Sequence, residues 1–331
     1  MNLQVRDIDR KVVSILKILG DVDQPVGARV IARNLSGIGI ELSERAVRYH
    51  LRLMDERGLT SLAGRRDGRL ITELGHQELK RALVSDKVGM AFAKIESLAF
   101  QTSFDWKNKS GLIPVNVSLI PKESFTKALK KMKPVFKSGL CVSELVAIQT
   151  EGKYLGGMLI PEGKIALGTV CSVVINAALL KAGIPVDSRF GGLLQLQDYQ
   201  PLRFTELISY AGSSLDPSEI YIRANMTTVT EAAAEGNGEI LANFREIPGI
   251  CRSMAETVFG ELKAAGISGL CTLGNVSETV SEITVDLNRV GVILLGGMNP
   301  VAAAHECGIN GENHAMSVLT DYGNLKHIDE L

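Results

Sequence analysis

The feature that most restricts the fold of this chain is a repeat within its last two thirds. A strand-like "PVNVSLIP" and a helix-like "KESFTKALKKMKPVF" return later as "EILANFREIP" and "GICRSMAETVFGELKAAGI". Further on in each half, an apolar strand ("GKIALG", "VGVILLGG") runs into a helix ("TVCSVVINAALLKAGI", "NPVAAAHECGI"). Pro121 corresponds to Pro248, Gly139-Leu140-Cys141 to Gly269-Leu270-Cys271, and Gly183-Ile184 to Gly308-Ile309, at offsets of 127, 130 and 125 residues. One such match arises by chance, whereas several in the same order indicate duplication. The expectation is an α/β domain over 111–331, with lobes at about 111–184 and 239–331 related by a pseudo-twofold and bridged by 185–238. Apolar runs without alternation suit strands covered on both faces.

The residues before the repeat follow a different pattern. Ile8, Val12, Ile15, Leu16 and Leu19 are spaced for a helix after Asp7, a candidate cap; Ala28, Ile31, Ala32 and Leu35 are spaced for a second, closed by Ser36-Gly37. A third helix is expected after Ser43, ending near Arg57 with Gly58 behind it. On it Val47, Leu51 and Met54 form an inward stripe, and Arg45, Arg48, Tyr49 and Arg52 share the opposite face. Leu59–Ala63, the turn Gly64-Arg65-Arg66-Asp67-Gly68 and Arg69–Ile71 then spell a hairpin rich in arginine, and Thr72 is placed to cap one more helix. A charged helix face alone is more often a solvated surface. Helix, helix, basic helix and basic hairpin in succession instead describe a winged helix-turn-helix over residues 1–85. Its guanidiniums suit phosphates and guanine edges, and its Tyr a phosphate or a thymine methyl.

Charge agrees with that division. Residues 1–85 hold 15 Lys and Arg against 11 Asp and Glu, and the remainder 21 against 26, within a chain of net charge −1. A basic head on an acidic body places nucleic acid at one end. A helical stripe of Phe92, Ile95, Leu98 and Ala99 suggests a linker over 86–110, able also to pair with a partner subunit, with a boundary at Trp106 and "KNKSG".

In each lobe a buried strand meets glycine and then a helix start: Gly168-Thr169-Val170-Cys171-Ser172 and Gly296-Gly297-Met298-Asn299. Free N–H groups there suit a carboxylate or phosphate, although a tight strand-to-helix turn needs the same glycines. Arg189 and Arg245 are candidate clamps for a carboxylate, or ordinary surface arginines. The candidate effector site is therefore Gly168, Thr169, Cys171, Ser172, Arg189, Arg245, Gly297 and Asn299. A small dicarboxylate is as far as these residues lead.

The run "LSERAVRYHLRLMDERGL" with "GRRDGRLITELG" resembles the winged helix of the NrpR family of archaeal nitrogen-assimilation repressors. The body resembles the effector domain of that family through "GTVCSVVINAALLKAGIPVDSRFGGLLQL", "FTELISYAGSSLDPSEIYIRANMTTV", "ILANFREIP" and "VILLGGMNP". The resemblance implies repression of nitrogen-fixation and glutamine-synthetase operons, relieved by 2-oxoglutarate. Some members carry two consecutive effector domains, whereas this chain has room for one, which leaves a paralogous repressor subunit as a possible partner.

The competing reading is a metabolic enzyme fused to an autoregulatory DNA-binding head. No GxxxxGK[ST], GxSxG or strand-borne GxGxxG occurs, and His305-Glu306 with His314 lacks metal-ligand spacing. Five separated cysteines without a CxxC pair argue against disulfides and zinc. Arg6, Asp7, Asp9 and Arg10 leave no apolar run for a signal peptide, and Gly168, Ser172 and Asn176 interrupt the most apolar stretch. The expectation is a cytoplasmic repressor without a cofactor or metal site. It would bind double-stranded DNA as a homodimer or larger homo-oligomer and release it on binding an effector.

Overall fold

The computed structural model describes residues 3–22, 24–37, 40–63, 68–81 and 88–331, and of residues 3–10, 80 and 81 the backbone alone. It divides into two units, a head ending at Val88 and a body beginning at Gly89.

The head contains α1 (Leu3–Gly20), α2 (Ala28–Gly37), α3 (Glu44–Glu56), a hairpin of β1 (Thr60–Leu62) and β2 (Arg69–Ile71), and α4 (Glu73–Arg81). Helix α1 starts at Leu3, so Asp7 lies inside the helix rather than capping it. Ser43 does cap α3, its Oγ accepting from the Ala46 N–H at 3.2 Å, and Thr72 Oγ1 accepts from Gly75 N at 3.0 Å. The core brings Val12, Ile15 and Leu16 of α1, Ile31 and Leu35 of α2, and Val47, Leu51 and Met54 of α3 together. Gly58 closes α3 in the left-handed region (φ 70°), where a side chain would strain the backbone. The wing turn, with Gly64, Arg65, Arg66 and Asp67, lies outside the described residues.

The body opens with α5 (Met90–Gln101), followed by two copies of one pattern. The first is β3 (Leu112–Pro121), α6 (Phe125–Lys137), β4 (Leu145–Thr150), a small hairpin β5 (Tyr154–Leu155) and β6 (Met158–Leu159), β7 (Lys164–Val170), α7 (Val173–Lys181) and β8 (Asp187–Gln197). Strand β9 (Gln200–Ser209) and helices α8 (Pro217–Arg223) and α9 (Val229–Glu235) intervene. The second is β10 (Gly238–Pro248), α10 (Arg252–Ala264), β11 (Leu270–Val276), β12 (Arg289–Leu295), α11 (Asn299–Glu306) and β13 (Glu312–Asp321), with β14 (Lys326–His327) at the end. Both first helices follow a single 3-10 turn, Lys122–Ser124 and Gly249–Cys251, directly after Pro121 and Pro248.

These strands form two five-stranded sheets, ordered β13-β3-β7-β4-β14 and β11-β12-β10-β8-β9, with every pairing antiparallel. Each repeat thus gives its last strand to the sheet of the other: β13 lies beside β3, and β8 beside β10. The contiguous lobes expected at 111–184 and 239–331 are corrected accordingly. The physical reason lies in the second helices. Val174, Ile175, Ala178 and Leu179 of α7 pack with Ala255, Val258 and Leu262 of α10 and with Val290, Val292 and Leu294 of β12. Val301 and Ala304 of α11 pack with Ala128, Leu129 and Met132 of α6. A chain leaving either helix is already beside the other repeat's sheet, where a strand satisfies an otherwise open edge.

Two further expectations change. The glycine that closes the first helix in each repeat is Gly139 (φ 75°) and Gly266 (φ 85°), again 127 residues apart. Leu140 therefore matches Ile267, and the resemblance of Gly139-Leu140-Cys141 to Gly269-Leu270-Cys271 is a coincidence of composition. The segment expected as a linker belongs to the body. Ile95, Leu98 and Ala99 of α5 are buried with Val173 and Ala177 of α7, and Trp106 Nε1 donates to Glu261 Oε2 at 2.7 Å. No described helix is long and apolar enough to cross a membrane.

Candidate functional site

In the head, the outer face of α3 presents exposed Arg45, Arg48, Tyr49 and Arg52, opposite the buried Val47, Leu51 and Met54. Arg48 pairs with Glu44 one turn earlier, Arg52 with Glu56 at 3.8 Å, and the Arg52 guanidinium lies 5.7 Å from the Tyr49 ring centroid. Exposed pairs of this kind are worth well under about 1 kcal/mol, so phosphates displace them readily. Arg69 is different. Its side chain is 21% exposed and its Nε lies 2.7 Å from Asp55 Oδ2, while Asp55 Oδ1 accepts from Thr60 Oγ1 at 2.6 Å. Arg69 thereby ties the wing to α3 and is not displayed for contact. Arg65 and Arg66 lie outside the described residues. The sequence reading overlooked Arg29 and Arg33, both exposed on α2, the helix that crosses the backbone in helix-turn-helix complexes.

In the body, the two repeats meet around a small cavity lined by residues of both. Asn116 of β3 and Asn243 of β10 occupy equivalent positions, offset by the same 127 residues as the prolines, and both side chains line it. The helix starts at Cys171-Ser172-Val173 and Gly297-Met298 supply the opposing walls, and Tyr210, Asp216 and Ser218 one side. Neither Ser172 nor Met298 caps its helix through a side-chain hydrogen bond.

Arg245 dominates the electrostatics of the cavity. It lines the space while being only 1% exposed. Its Nε donates to Asn176 Oδ1 at 3.3 Å, its Nη1 to the Phe244 carbonyl at 3.3 Å, and its guanidinium lies 5.0 Å over the Tyr210 ring. Among the described residues no carboxylate comes within ion-pair distance of it. A buried cation with neutral partners alone is costly, and an anion entering the cavity offsets that cost. Burial pushes the Tyr210 hydroxyl upward from its ordinary pKa and the Cys171 thiol up to about 12, so both stay protonated at neutral pH. Burial also raises the Asp216 carboxyl, against the lowering effect of the Ser218 hydrogen bonds.

Neutral hydrogen bonds hold the rest in place. Tyr210 Oη donates to Asn243 Oδ1, and Asn243 Nδ2 donates to Ser172 Oγ at 3.2 Å. Asn116 Oδ1 accepts from Met316 N at 2.9 Å. Met316 itself has φ 50° and sits in an irregularity of β13 between His314 and Val318. The segment from Tyr210 to Asp216 and the Met316 irregularity flank the cavity, and α5 is fastened to both: Ala91 N donates to Ser213 O at 3.3 Å and Lys94 Nζ to Ala315 O at 3.0 Å.

Of the residues expected at the effector site, Cys171, Ser172, Arg245 and Gly297 line the cavity. Thr169 stands behind it, with Oγ1 accepting from Asn116 Nδ2 at 3.4 Å. Gly168 is packed inside its sheet, where an added Cβ would come 3.1 Å from the Ala147 Cβ. Asn299 holds both backbone groups of Leu241, accepting from its N–H at 2.8 Å and donating to its carbonyl at 3.1 Å. Arg189 lies elsewhere, with Asp187 at 3.3 Å, Asp286 at 3.2 Å and Glu246 at 3.9 Å. Gly297 is required for contact between the repeats, since a Cβ would stand 2.3 Å from the Val170 carbonyl oxygen. The Glu306 carboxylate accepts from Thr227 Oγ1, Val229 N and Thr230 N at the start of α9, at 2.7, 2.8 and 2.9 Å. Asn116, Asn243, Tyr210 and Asp216 were missed; an asparagine at the same place in both repeats, at the same offset of 127 as the prolines, was the available signal for that pair.

Comparison with known proteins covers nearly the whole chain. The family model described as NrpR regulatory domains NRD1 and 2 matches residues 88–327, and that of the ribonuclease R winged-helix domain matches residues 13–79. Global nitrogen regulator NrpRI of Methanosarcina mazei is 38% identical over 97% of this chain and 98% of its own length. Global nitrogen regulator NrpR of Methanococcus maripaludis is 31% identical over 95% of this chain, which spans 54% of that relative. A crystal structure of a nitrogen repressor-like protein from Methanococcus jannaschii matches with a TM-score of 0.62 at 25% identity, over 73% of this chain and 99% of that one.

Proposed function

Because the chain belongs to the NrpR family of regulators, we propose that it represses nitrogen-assimilation genes and is released from its operator by a dicarboxylate bound at Arg245. It is a transcriptional regulator of nitrogen genes that binds DNA through its winged-helix head, and not an enzyme. The single observation that carries the effector reading is the buried guanidinium of Arg245, which has no ion-paired carboxylate among the described residues, between two helix starts. Such a site favours an anion, and the resemblance to the family supports 2-oxoglutarate as the inducer.

The cavity has about 20 Å³ open to a water-sized sphere, room for about one water molecule. A five-carbon dicarboxylate therefore enters only if the 210–216 segment or the Met316 irregularity moves outward. Helix α5, bonded to both, moves with them, and in sequence it is the first element of the body after the head. The effector thus favours an arrangement in which the heads of a homodimer, or of a larger assembly including a paralogous subunit, no longer fit the half-site spacing. It acts through its difference in affinity for the two states. Anisotropy of a labelled palindromic operator from a nitrogen-assimilation promoter tests the reading. The expected result is tight, salt-sensitive binding that millimolar 2-oxoglutarate weakens; binding indifferent to 2-oxoglutarate rejects the inducer.

A further inference from the structure

The acidic balance of the body conceals one strongly basic element. From Lys122 to Lys137 the chain holds six lysines and a single acid, Glu123. Helix α6 turns Ala128, Leu129, Met132, Val135 and Phe136 inward. Lys127, Lys130, Lys131 and Lys137 therefore share the exposed face opposite, with Lys133 half-buried at its margin. Lys122 pairs with Glu151 at 3.0 Å and Lys137 with Asp329 at 4.0 Å. Among the described residues no carboxylate lies within ion-pair distance of Lys127, Lys130, Lys131 or Lys133, not even Glu123 one turn before Lys127.

The second repeat shows that the fold does not require this charge. At the offset of 127, exposed Met254, Thr257 and Ala264 of α10 stand where α6 exposes Lys127, Lys130 and Lys137. Helix α10 also balances its charges, with Arg252 and Lys263 against Glu256 and Glu261, whereas α6 carries lysines alone. Lys127 with Lys131, Lys130 with Lys133, and Lys133 with Lys137 are neighbours one turn apart, and like charges at that spacing destabilise a helix. An opposing polyanion relieves the repulsion.

The chemistry of the face favours one kind of polyanion. Protein interfaces are depleted in lysine and enriched in aromatic side chains and arginine. Apart from its lysines, the face exposes only Pro134. An ammonium is a compact point charge, suited to phosphates more than to the forked recognition of base edges. From Lys127 to Lys137 the helix axis runs about 15 Å, the reach of several successive phosphates on one strand. We propose that the outer face of α6 binds duplex DNA through its phosphate backbone, a second and sequence-independent contact beside that of the winged-helix head. The proposal rests on DNA binding by the chain and is independent of the effector.

The test uses the full chain and a fluorescent duplex of random sequence, about 40 base pairs long, titrated at several salt concentrations. The triple variant Lys127→Gln, Lys130→Gln, Lys131→Gln should lower the salt slope by about two to three and weaken binding at low salt at least about tenfold. Lys127→Arg, Lys130→Arg and Lys131→Arg together should keep both. A control with Lys107→Gln, Lys109→Gln and Lys263→Gln, exposed lysines outside α6, makes the same change in net charge and should keep the native slope. Coinciding circular dichroism and melting curves confirm that the variants fold. An unchanged slope in the glutamine variant of α6 overturns the proposal and leaves the lysines to an acidic protein surface. An equal fall in the control overturns it too, because net charge and not contact then sets the slope. No binding of the native chain to this duplex also overturns it, while titration of the operator judges the repressor reading separately.

Discussion

Asn116 and Asn243 stand at one and the same place in the two repeats and line a single cavity, one accepting from the Met316 N–H and the other from the Tyr210 hydroxyl. Each amide therefore holds one of the two segments that flank the space. Asn116→Leu leaves the Met316 N–H without its acceptor, at a cost of about 1–3 kcal/mol in urea unfolding. It should also lower the effector concentration needed for release, because the segment that moves outward has lost its resting partner.

Arg245→Met should separate stability from response. Removing a buried cation that has no carboxylate partner relieves a desolvation cost, although Asn176 Oδ1 loses a donor. The melting temperature should hold or rise, while any shift of that temperature by dicarboxylate disappears. A large fall in stability without ligand would show that the guanidinium serves the fold.

Asp216 predicts a pH dependence. Burial raises its carboxyl, so the folded chain binds that proton more tightly than the unfolded chain does. The stability it contributes is present at acid pH and is lost as pH rises from the ordinary carboxylate value through the raised one. Asp216→Asn keeps an oxygen for the Ser218 N–H, now at 2.8 Å from Oδ1. Melting curves should coincide for the two proteins at low pH, and the variant should become relatively more stable as pH rises. A constant difference across that range contradicts the assignment.

The arginines of the head should fall into two classes. Arg48→Ala and Arg52→Ala should each lower the salt slope of operator binding by about one, because a phosphate contact is lost. Arg69→Ala should leave the slope intact and destabilise the head by about 1 kcal/mol, through loss of the partly buried pair with Asp55. Salt titrations and thermal melts on the same preparations distinguish the two.

Much of this was legible in the sequence, and the parts that were not share a cause. Ser43, the stripe of Val47, Leu51 and Met54, and the outward Arg45, Arg48, Tyr49 and Arg52 depend on local periodicity, which a single helix obeys wherever it lies. Pro121 and Pro248 announced the repeat. Linear reading could not tell which sheet β8 and β13 join, because the sheet a strand joins is chosen by tertiary contacts of the preceding helix. The same limit explains Arg189 and Asn299, whose residue types suit a ligand but whose partners, three carboxylates and the Leu241 backbone, come from distant segments. Arg69 looked like a wing contact because its partner, Asp55, sits on the preceding helix.

The most direct test of the central claim is calorimetric titration of 2-oxoglutarate into the full chain and into the Arg245→Met variant. The account predicts saturable binding to the former and at least about a hundredfold weaker binding to the latter, equivalent to about 2.8 kcal/mol. Equal affinity for both proteins would contradict it and place the effector away from the cavity between the repeats.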